Sequence, residues 1–263
     1  MQSALHPFRV VAPDLADALR ETQSAQIVDL CAGGAGPWAR LLPELDRALR
    51  GPQPQILLTD LFPNLTAFEK MSLDNPGRVA FVRDPVDATR VEIPGFRTIF
   101  NAFHHLDEPQ ARGVLQDAVR QGAGIGIFEL ADRSAAFLLG SITIPLQVWL
   151  TTPFIQPRAP TRLALTYGLP VVPLVAWIDG MISGLRTYST DELRALVQSL
   201  DGSDAGYTWK IGRKPYLGPL CVTYLIGTPP SARSKRRALS RPADAVESKP
   251  SAASEPNPET PRS

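Results

Sequence analysis

Acidic and glycine residues follow the first predicted strand at spacings that suit ligand binding. Residues 25–28 (AQIV) are apolar enough to form a short strand, and Asp29 stands at its end. The loop that follows holds three glycines, which are Gly33, Gly34 and Gly36. Glycine has no Cβ, so the backbone can approach a ligand closely, and a helix beginning at Pro37 would point free N–H groups at the same place. The pattern predicts a nucleotide-type binding site.

Two ligands of the nucleotide type fit this loop. Residues 34–39 satisfy the dinucleotide fingerprint G-x-G-x-x-A, and Asp60 lies about the right distance downstream to hold a ribose. The dinucleotide pattern begins where the strand ends, however, whereas here Asp29 and the residues LCA come first. A carboxylate at the strand end suits a ligand with an ammonium group, and S-adenosylmethionine is such a ligand. A nicotinamide cofactor therefore ranks second.

The next predicted strands end in residues that would hold the other parts of S-adenosylmethionine. Asp60 and Leu61 follow the second strand, and the Asp60 carboxylate can accept hydrogen bonds from both ribose hydroxyls. Asp87 and Ala88 follow the third, where a carboxylate and a backbone N–H would bind the adenine. The carboxyl ends of parallel strands meet at one edge of a sheet, so these residues should share a crevice.

Two histidines follow the fourth predicted strand, in residues 101–106 (NAFHHL). Asn101 is a candidate contact for the donor or the acceptor. A hydroxyl or acidic carbon needs a base, and His104 or His105 is well placed to be that base. Successive side chains diverge in an extended segment, so the two cannot both face the site, and we slightly prefer His105. Alternatively, one of them binds a backbone carbonyl and shapes the loop.

In these four motifs the chain resembles the class I S-adenosylmethionine-dependent methyltransferases. A strand-acid-glycine loop, an acid after the second strand, Asp-Ala after the third and His-His-Leu after the fourth recur together in that family. The resemblance covers about residues 10–135 and 186–228, and it departs at Cys31 and Ala32, where a Gly-Cys pair is common. It implies S-adenosylmethionine as the cofactor and a catalytic histidine, while the wide spacing of the two cysteines predicts no metal site.

The resemblance also implies an α/β fold, in which a Rossmann-like, doubly wound sheet of seven mostly parallel strands ends in an antiparallel hairpin. The hydrophobic pattern agrees, because short apolar strands alternate with amphipathic helices. One such helix begins after Asp107 and ends at Gly122, and another begins at Ser189 or Thr190. The predicted strands span residues 25–28, 55–59, 78–82, 97–100, 124–130, 207–213 and 219–226.

Composition narrows the classes of function. The chain has 263 residues, and 44% of them are hydrophobic, which suits one α/β domain with additions. A net charge of +1 lacks the basic footprint of a nucleic-acid-binding protein, so no nucleic acid is expected as a partner. Cys31 and Cys221 are too far apart to suggest a disulfide framework, and no signal-peptide pattern opens the chain, so we expect a cytoplasmic protein.

An apolar insertion, residues 136–185, interrupts the core after the fifth strand. No charged residue lies between Arg133 and Arg158, or between Arg162 and Asp179. We rank a helical lid over the active site first and an interfacial hairpin that touches lipid second, and the two are compatible. A membrane-spanning hairpin ranks last, because arginines flank its turn and prolines interrupt both halves. Packing on a partner subunit or completion of the core is a further alternative.

The acceptor should therefore be small and hydrophobic, with lipid-like or membrane-associated molecules included. We predict a methyltransferase core at residues 1–135 and 186–228, followed by a disordered tail at 229–263. The tail opens with a basic run, which comprises Arg233, Lys235, Arg236, Arg237 and Arg241. That run is either solvated or bound to anionic lipid. The rival function is a noncatalytic protein that binds the donor and serves as a scaffold. The sequence does not indicate an oligomeric state.

Overall fold

A mixed β-sheet organises the chain. The structure is a computed structural model that describes residues 6–130, 133–155, 159–202 and 206–230. Its strands are β1 (Gln26–Asp29), β2 (Gln55–Leu58), β3 (Val79–Phe81), β4 (Phe96–Phe100), β5 (Ile125–Glu129), β6 (Thr208–Leu217) and β7 (Leu220–Thr228). Within the described residues they lie in the order β3-β2-β1-β4-β5-β7-β6. Strands β1 to β5 are parallel, and β7 is antiparallel to both of its neighbours. The predicted Rossmann-like sheet with a terminal antiparallel hairpin is confirmed.

Helices cover both faces of this sheet. They are α1 (Ala12–Thr22), α2 (Trp38–Leu49), α3 (Leu65–Asp74), α4 (Glu108–Gln121), α5 (Ala135–Ser141), α6 (Ile144–Thr151), α7 (Pro160–Leu163), α8 (Val171–Arg186) and α9 (Thr190–Gln198). Consecutive strand residues point to opposite faces. Ile27 accordingly packs with side chains of α1, α2 and α3, whereas Val28 packs with side chains of α4 and α9. The sheet is therefore buried on both sides.

Local capping chemistry explains where several helices begin. The Asp107 side chain accepts a hydrogen bond from the Gln110 backbone N–H, and the Gln110 side chain accepts one from the Asp107 N–H, which completes a capping box at α4. Ser189 and Glu192 form the same box at α9. Both predicted starts are confirmed, with Ser189 as the capping residue. The predicted start of α2 is corrected by one residue, because Pro37 is its N-cap rather than its first residue.

The hairpin at the sheet edge is longer than predicted. Residues 214–218 were expected to form the connecting loop, but β6 continues to Leu217 and pairs with β7, with a register irregularity between Pro215 and Leu217. Proline interrupts a central strand because it lacks an N–H, whereas an edge strand tolerates it, particularly at a bulge. Strand β6 is that edge strand. The sequence rule failed here because it could not identify the edge.

The apolar insertion forms the helices α5 to α8 after β5. The chain leaves the core and returns to it at neighbouring positions. The Arg133 guanidinium before the insertion lies 2.9 Å from the Glu192 carboxylate after it. Ser134 caps α5, and Ser189 caps α9. The predicted tail lies almost entirely outside the described residues, which end at Pro230.

One stretch of the insertion, Phe137–Phe154, is long and apolar enough to cross a membrane, with a mean hydropathy of 1.3 and only 11% of it buried. The segments Pro160–Gly168 and Val171–Arg186 meet that criterion only as a pair, and an 80° bend separates them. By length and composition, one helix in the described ranges could therefore cross a membrane, or two if the bent pair forms a single span.

A buried ion pair fixes the start of β4 against α4. The Arg97 guanidinium is 2.8 Å from the Asp117 carboxylate, and Arg97 is 1% exposed. The same guanidinium donates to the Val91 carbonyl, and Asp117 accepts from the Val91 N–H, at 2.9 Å each. Removing the charge of one partner would leave the other buried without compensation.

We expect Asp117→Asn to lower the free energy of unfolding by about 3 kcal/mol, since the Arg97 charge loses its counter-ion in a dry environment. Urea titration followed by circular dichroism measures this change. The matched control is Glu69→Gln, which breaks the exposed pair between Glu69 and Arg83 and should cost less than about 1 kcal/mol. Equal costs for the two variants would contradict the assignment of Arg97 and Asp117 as a buried pair.

Candidate functional site

A cavity opens at the carboxyl ends of the central strands. Strands β1 and β4 are neighbours, and the helices that follow them, α2 and α4, pack on opposite faces. A sheet of this kind has a crevice at the point where its connections diverge. The cavity there has a volume of about 840 Å³. Its lining comprises His6, Pro7, Phe8, Cys31, Ala32, Gly33, Gly34, Gly36, Pro37, Ala39, Arg40, Asp60, Phe62, Phe100, Asn101, Ala102, His105 and Leu106.

The glycine loop after β1 forms the floor of this cavity. Cys31 and Ala35 adopt left-handed backbone conformations, with φ of 54° and 75°, and such values in residues other than glycine are concentrated at functional sites. The space where a Cβ would stand at Gly33 and Gly34 is open. At Gly36, a Cβ would lie 2.9 Å from a carboxylate oxygen of Asp29. The first two glycines therefore leave room for a ligand, and the third leaves room for Asp29.

Asp60 ties the end of β2 to the glycine loop and lies on the cavity surface. One carboxylate oxygen accepts from the Gly33 N–H at 2.8 Å, and the other accepts from the Phe62 N–H at 2.9 Å. A carboxylate oxygen can accept more than one hydrogen bond, so both oxygens keep capacity for a ligand. The neighbouring Leu61 is 46% exposed but is not part of the cavity lining.

Asp29 lies beneath the glycine loop rather than on the cavity surface. It is 1% exposed, and its two oxygens accept from the Trp38 indole at 2.8 Å and the Thr98 hydroxyl at 2.6 Å. Burial raises the pKa of Asp29 from 3.8 to about 7, although these two hydrogen bonds oppose the shift. Asp29 therefore does not face the cavity, and this structure does not show the predicted direct contact between its carboxylate and an ammonium group.

Asp87 and Ala88 also lie outside the cavity lining. Asp87 is exposed, and one of its oxygens accepts from the backbone N–H and the hydroxyl of Thr89, at 2.8 and 2.7 Å. Ala88 is buried. Burial, followed by the charges of Asp60, Asp29 and Asp87, raises the pKa of the Cys31 thiol to about 12. Of these three carboxylates, Asp60 alone belongs to the cavity lining.

The two histidines occupy different environments. They lie in a 3₁₀ turn, Phe103–His105, and not in the extended segment that the sequence suggested. Neighbouring residues of a 3₁₀ helix point about 120° apart, so the two side chains still diverge. His105 is exposed and lines the cavity, whereas His104 is 2% exposed and is paired with Glu129. The ring centroids are 4.2 Å apart.

Glu129 holds the histidine turn in place from the end of β5. One oxygen accepts from the Phe103 backbone N–H at 2.8 Å, and the other is bonded to Nδ1 of His104. Burial and the neighbouring His104 lower the pKa of His105, while Glu129 acts in the opposite direction. His105 is therefore the member of the pair that is accessible as a base.

Sequence reasoning missed several residues of the cavity wall. His6 and Phe8 come from the segment before α1, and Phe8 packs edge-on against Phe100 with centroids 5.2 Å apart. His6 is 5% exposed, and its Nε2 has no hydrogen-bond partner within the described part of the chain. Arg40, in the first turn of α2, also lines the cavity. Only Arg40 had a detectable signal, because a residue one turn after the glycine loop stands beside the ligand.

Asn101 is the remaining predicted site residue, and the cavity lining includes it. It has a left-handed conformation, with φ of 52°, and its side-chain oxygen accepts from the Leu130 N–H at 3.2 Å. The cavity thus brings together Gly33, Gly34, Gly36, Asp60, Asn101 and His105. Across the described ranges, no group of three or more His, Cys, Asp and Glu residues is arranged to hold a metal ion.

Because the pKa of Asp29 is higher in the folded chain than in the unfolded chain, we expect its contribution to stability to decrease as the pH rises from about 4 to 7. The free energy of unfolding of the wild type, relative to Asp29→Asn, should fall by a few kcal/mol over that range. The hydrogen bond that the variant loses changes the free energy of unfolding by the same amount at every pH. The dependence of the difference on pH therefore reports the titration of Asp29. Urea titrations at each pH measure it, and a flat difference would exclude the raised pKa.

Sequence comparison adds no relative, because no model of a known protein family and no curated protein matches the chain. Solved structures resemble its fold. They include an O-methyltransferase from neocarzinostatin biosynthesis in complex with S-adenosylmethionine and 2-hydroxy-5-methyl naphthoic acid (16% identity, TM-score 0.46, 82% of this chain and 52% of that one). They also include the methyltransferase domain of bacterial CtHen1-C (10% identity, TM-score 0.49, 85% of this chain and 98% of that one). A third is human N-acetylserotonin methyltransferase in complex with S-adenosylmethionine (15% identity, TM-score 0.46, 85% of this chain and 53% of that one).

These likenesses concern the fold alone, and the chain spans about half the length of the first and third proteins. The strand order, the antiparallel β7 and the glycine loop at the end of β1 are the features that define the architecture. The chain therefore has a Rossmann-like α/β fold whose sheet ends in an antiparallel hairpin, and solved methyltransferases are among the structures similar to it.

Proposed function

We propose that this protein is an S-adenosylmethionine-dependent methyltransferase that acts on a small hydrophobic acceptor. One observation carries the proposal: Asp60, the open Gly33 and Gly34 backbone and the accessible His105 line one cavity of about 840 Å³. Sites that enclose small molecules have volumes of this order. The cavity would thus hold the nucleoside part of the donor next to His105, which can serve as a general base.

The cavity residues fit the chemical groups of the donor. Asp60 would accept from the ribose hydroxyls with the capacity that its two backbone hydrogen bonds leave. The first turn of α2 has no side-chain cap, and its N–H groups, with the Arg40 guanidinium and the buried His6 ring, suit the carboxylate. Asp29, below the loop, favours the cationic groups when it is ionised, which its pKa of about 7 allows for part of the molecules at neutral pH. Each part of the donor therefore has a counterpart.

The protein's share of the reaction is orientation, exclusion of water and removal of a proton. S-adenosylmethionine supplies a methyl group that its sulfonium already activates, so little acid-base machinery is needed. When the acceptor is a hydroxyl, a ring nitrogen of His105 takes its proton as the oxygen attacks. Glu129 fixes the turn by binding the Phe103 N–H and His104, and it thereby holds His105 at the cavity wall.

Much of the cavity wall is apolar. Phe8, Phe62, Phe100 and Leu106 contribute to its wall, and Phe62 is 83% exposed before a ligand covers it. Burial of apolar surface contributes about 25 cal/mol per Å², so a mostly hydrophobic acceptor would gain most of its binding energy here. These side chains support a hydrophobic acceptor over a nucleobase or a sugar.

Asp60→Ala should weaken the binding of S-adenosylmethionine at least about tenfold, because charged hydrogen bonds to the ribose are lost. Isothermal titration calorimetry measures the dissociation constant in the absence of any acceptor. Asp74→Asn is the control, since it removes an exposed carboxylate from the end of α3 and should leave binding unchanged. Absence of binding by the wild type, or equal binding by Asp60→Ala, would refute the proposed cofactor site.

His105→Ala should reduce methyl transfer roughly 100-fold or more while leaving donor affinity intact. A base acts when deprotonated, so the wild-type rate at saturating donor should rise with pH through a pKa below 6.5, and the variant should lack this rise. Labelled donor incubated with a lipid extract, followed by mass analysis of labelled products, provides the assay. Donor binding without transfer to any product would favour the noncatalytic scaffold instead.

A further inference from the structure

The insertion presents a large apolar surface that nothing in the described chain covers. Of the twenty large hydrophobic residues that are exposed in the described ranges, sixteen lie between Leu139 and Leu185. Phe154 is 83% exposed, Leu139 67% and Leu169 65%. Soluble monomers rarely expose contiguous apolar patches larger than a few hundred Å², so a surface of this kind requires a partner.

The polar side chains of α6, and those of the segment that packs against it, are bonded inside the insertion. The hydroxyls of Thr143 and Thr151 each donate to a backbone carbonyl of the preceding turn, at 2.7 Å, and the Gln147 amide donates to the Thr143 hydroxyl. The Trp149 indole donates to the Thr166 carbonyl at 2.9 Å, and the Tyr167 hydroxyl donates to the Trp149 carbonyl at 2.6 Å. A hydrocarbon environment requires such internal pairing, because it offers no hydrogen-bond partner.

This internal hydrogen bonding favours lipid over a protein as the partner of the surface. Protein interfaces carry polar rims and direct hydrogen bonds between the partners, whereas here the polar side chains of α6 already bond within the insertion. The sequence also places no formal charge between Arg133 and Arg158, so an ion pair with a partner is not available there. Trp149 and Tyr167 are of the residue types that concentrate at the membrane interface.

The shape of the insertion fits the interface better than the bilayer core. The stretch Phe137–Phe154 has 18 residues, which is at the short end of what a spanning helix needs, and it is interrupted between α5 and α6. The second half bends by 80° between Gly168 and Val171. Such breaks leave backbone groups unpaired, and water can reach those groups at the membrane surface but not in the bilayer core.

We propose that the exposed face of α5, α6 and α8 docks this protein on the surface of a lipid bilayer. A second part, which rests on the proposed function, is that the acceptor reaches the cavity from that bilayer. Helix α8 packs against the Phe103–His105 turn, so the docked surface lies next to the base. A groove of about 400 Å³ between α6 and the start of α8, lined by Leu146, Trp149, Leu174 and three prolines, gives an apolar molecule room within the insertion.

Vesicle flotation of the full chain tests the docking. The wild type should float with vesicles of phosphatidylcholine alone, and high salt should not release it, because the contact is apolar. The double variant Leu150→Glu with Leu169→Glu should bind at least about tenfold more weakly, since both side chains are over 60% exposed on the insertion. The matched control is Leu73→Glu, which changes a leucine that is 79% exposed on α3 and should float like the wild type.

Several results would overturn the docking proposal. They are a wild type that stays free of vesicles, a double variant that floats equally well, and binding that needs anionic lipid and disappears in high salt, which would assign the contact to the basic run after residue 230. A dimer that forms without vesicles and dissociates in the double variant would assign the surface to a second copy. Unchanged circular dichroism and donor affinity in the double variant establish that it is folded.

The two proposals fail independently, because vesicle binding is measured without donor or acceptor and donor binding is measured without vesicles. Flotation without donor binding would refute the methyltransferase and leave the docking intact. Donor binding and methyl transfer without flotation would refute only the docking. If both hold, transfer to an acceptor dissolved in vesicles should fall in the double variant, while donor affinity stays the same.

Discussion

Asp29 joins four elements of the structure through hydrogen bonds. Its carboxylate accepts from Trp38 in α2 and from Thr98 in β4, and its backbone carbonyl accepts from both the N–H and the hydroxyl of Thr59 after β2. These bonds hold the end of β1, the neighbouring strands and the start of α2 in fixed relation. The glycine loop spans this junction, and Asp60 then fixes the loop from the other side by accepting from Gly33. The cavity opens above the loop that these hydrogen bonds hold in place.

The elements that depend on local chemistry were predictable from the sequence. Helix α4 is an example, because Asp107, Gln110 and Gly122 supply its cap, its capping box and its left-handed end within one short segment. The parallel strands were predictable because short apolar runs alternate with helices. The resemblance added that the sheet is doubly wound and ends in an antiparallel hairpin. The extension of β6 through Pro215 was not, since it depends on the position of that strand at the sheet edge.

The residues of the candidate site also differ in whether local sequence or contacts between distant elements determine their position. Glycines and strand-end acids are adjacent to the strands that position them, so Gly33, Gly34 and Asp60 could be found from spacing. The burial of Asp29 could not, because its partners Trp38 and Thr98 belong to different elements and their contact appears only after folding. His6 and Phe8 were missed for the same reason, since they precede the first strand by about twenty residues in the sequence. The pairing of His104 with Glu129, which decides between the two histidines, also joins separate strand ends.

The neck of the insertion has a consequence for how this protein can change. Arg133 and Glu192 pair across the base of the excursion, and serine caps start the helices on both sides of it, so the departing and returning chain lie side by side. A different insertion could therefore be joined at this point without altering the strand order of the sheet. Such a replacement would also have to restore the contact that α8 makes with the Phe103–His105 turn.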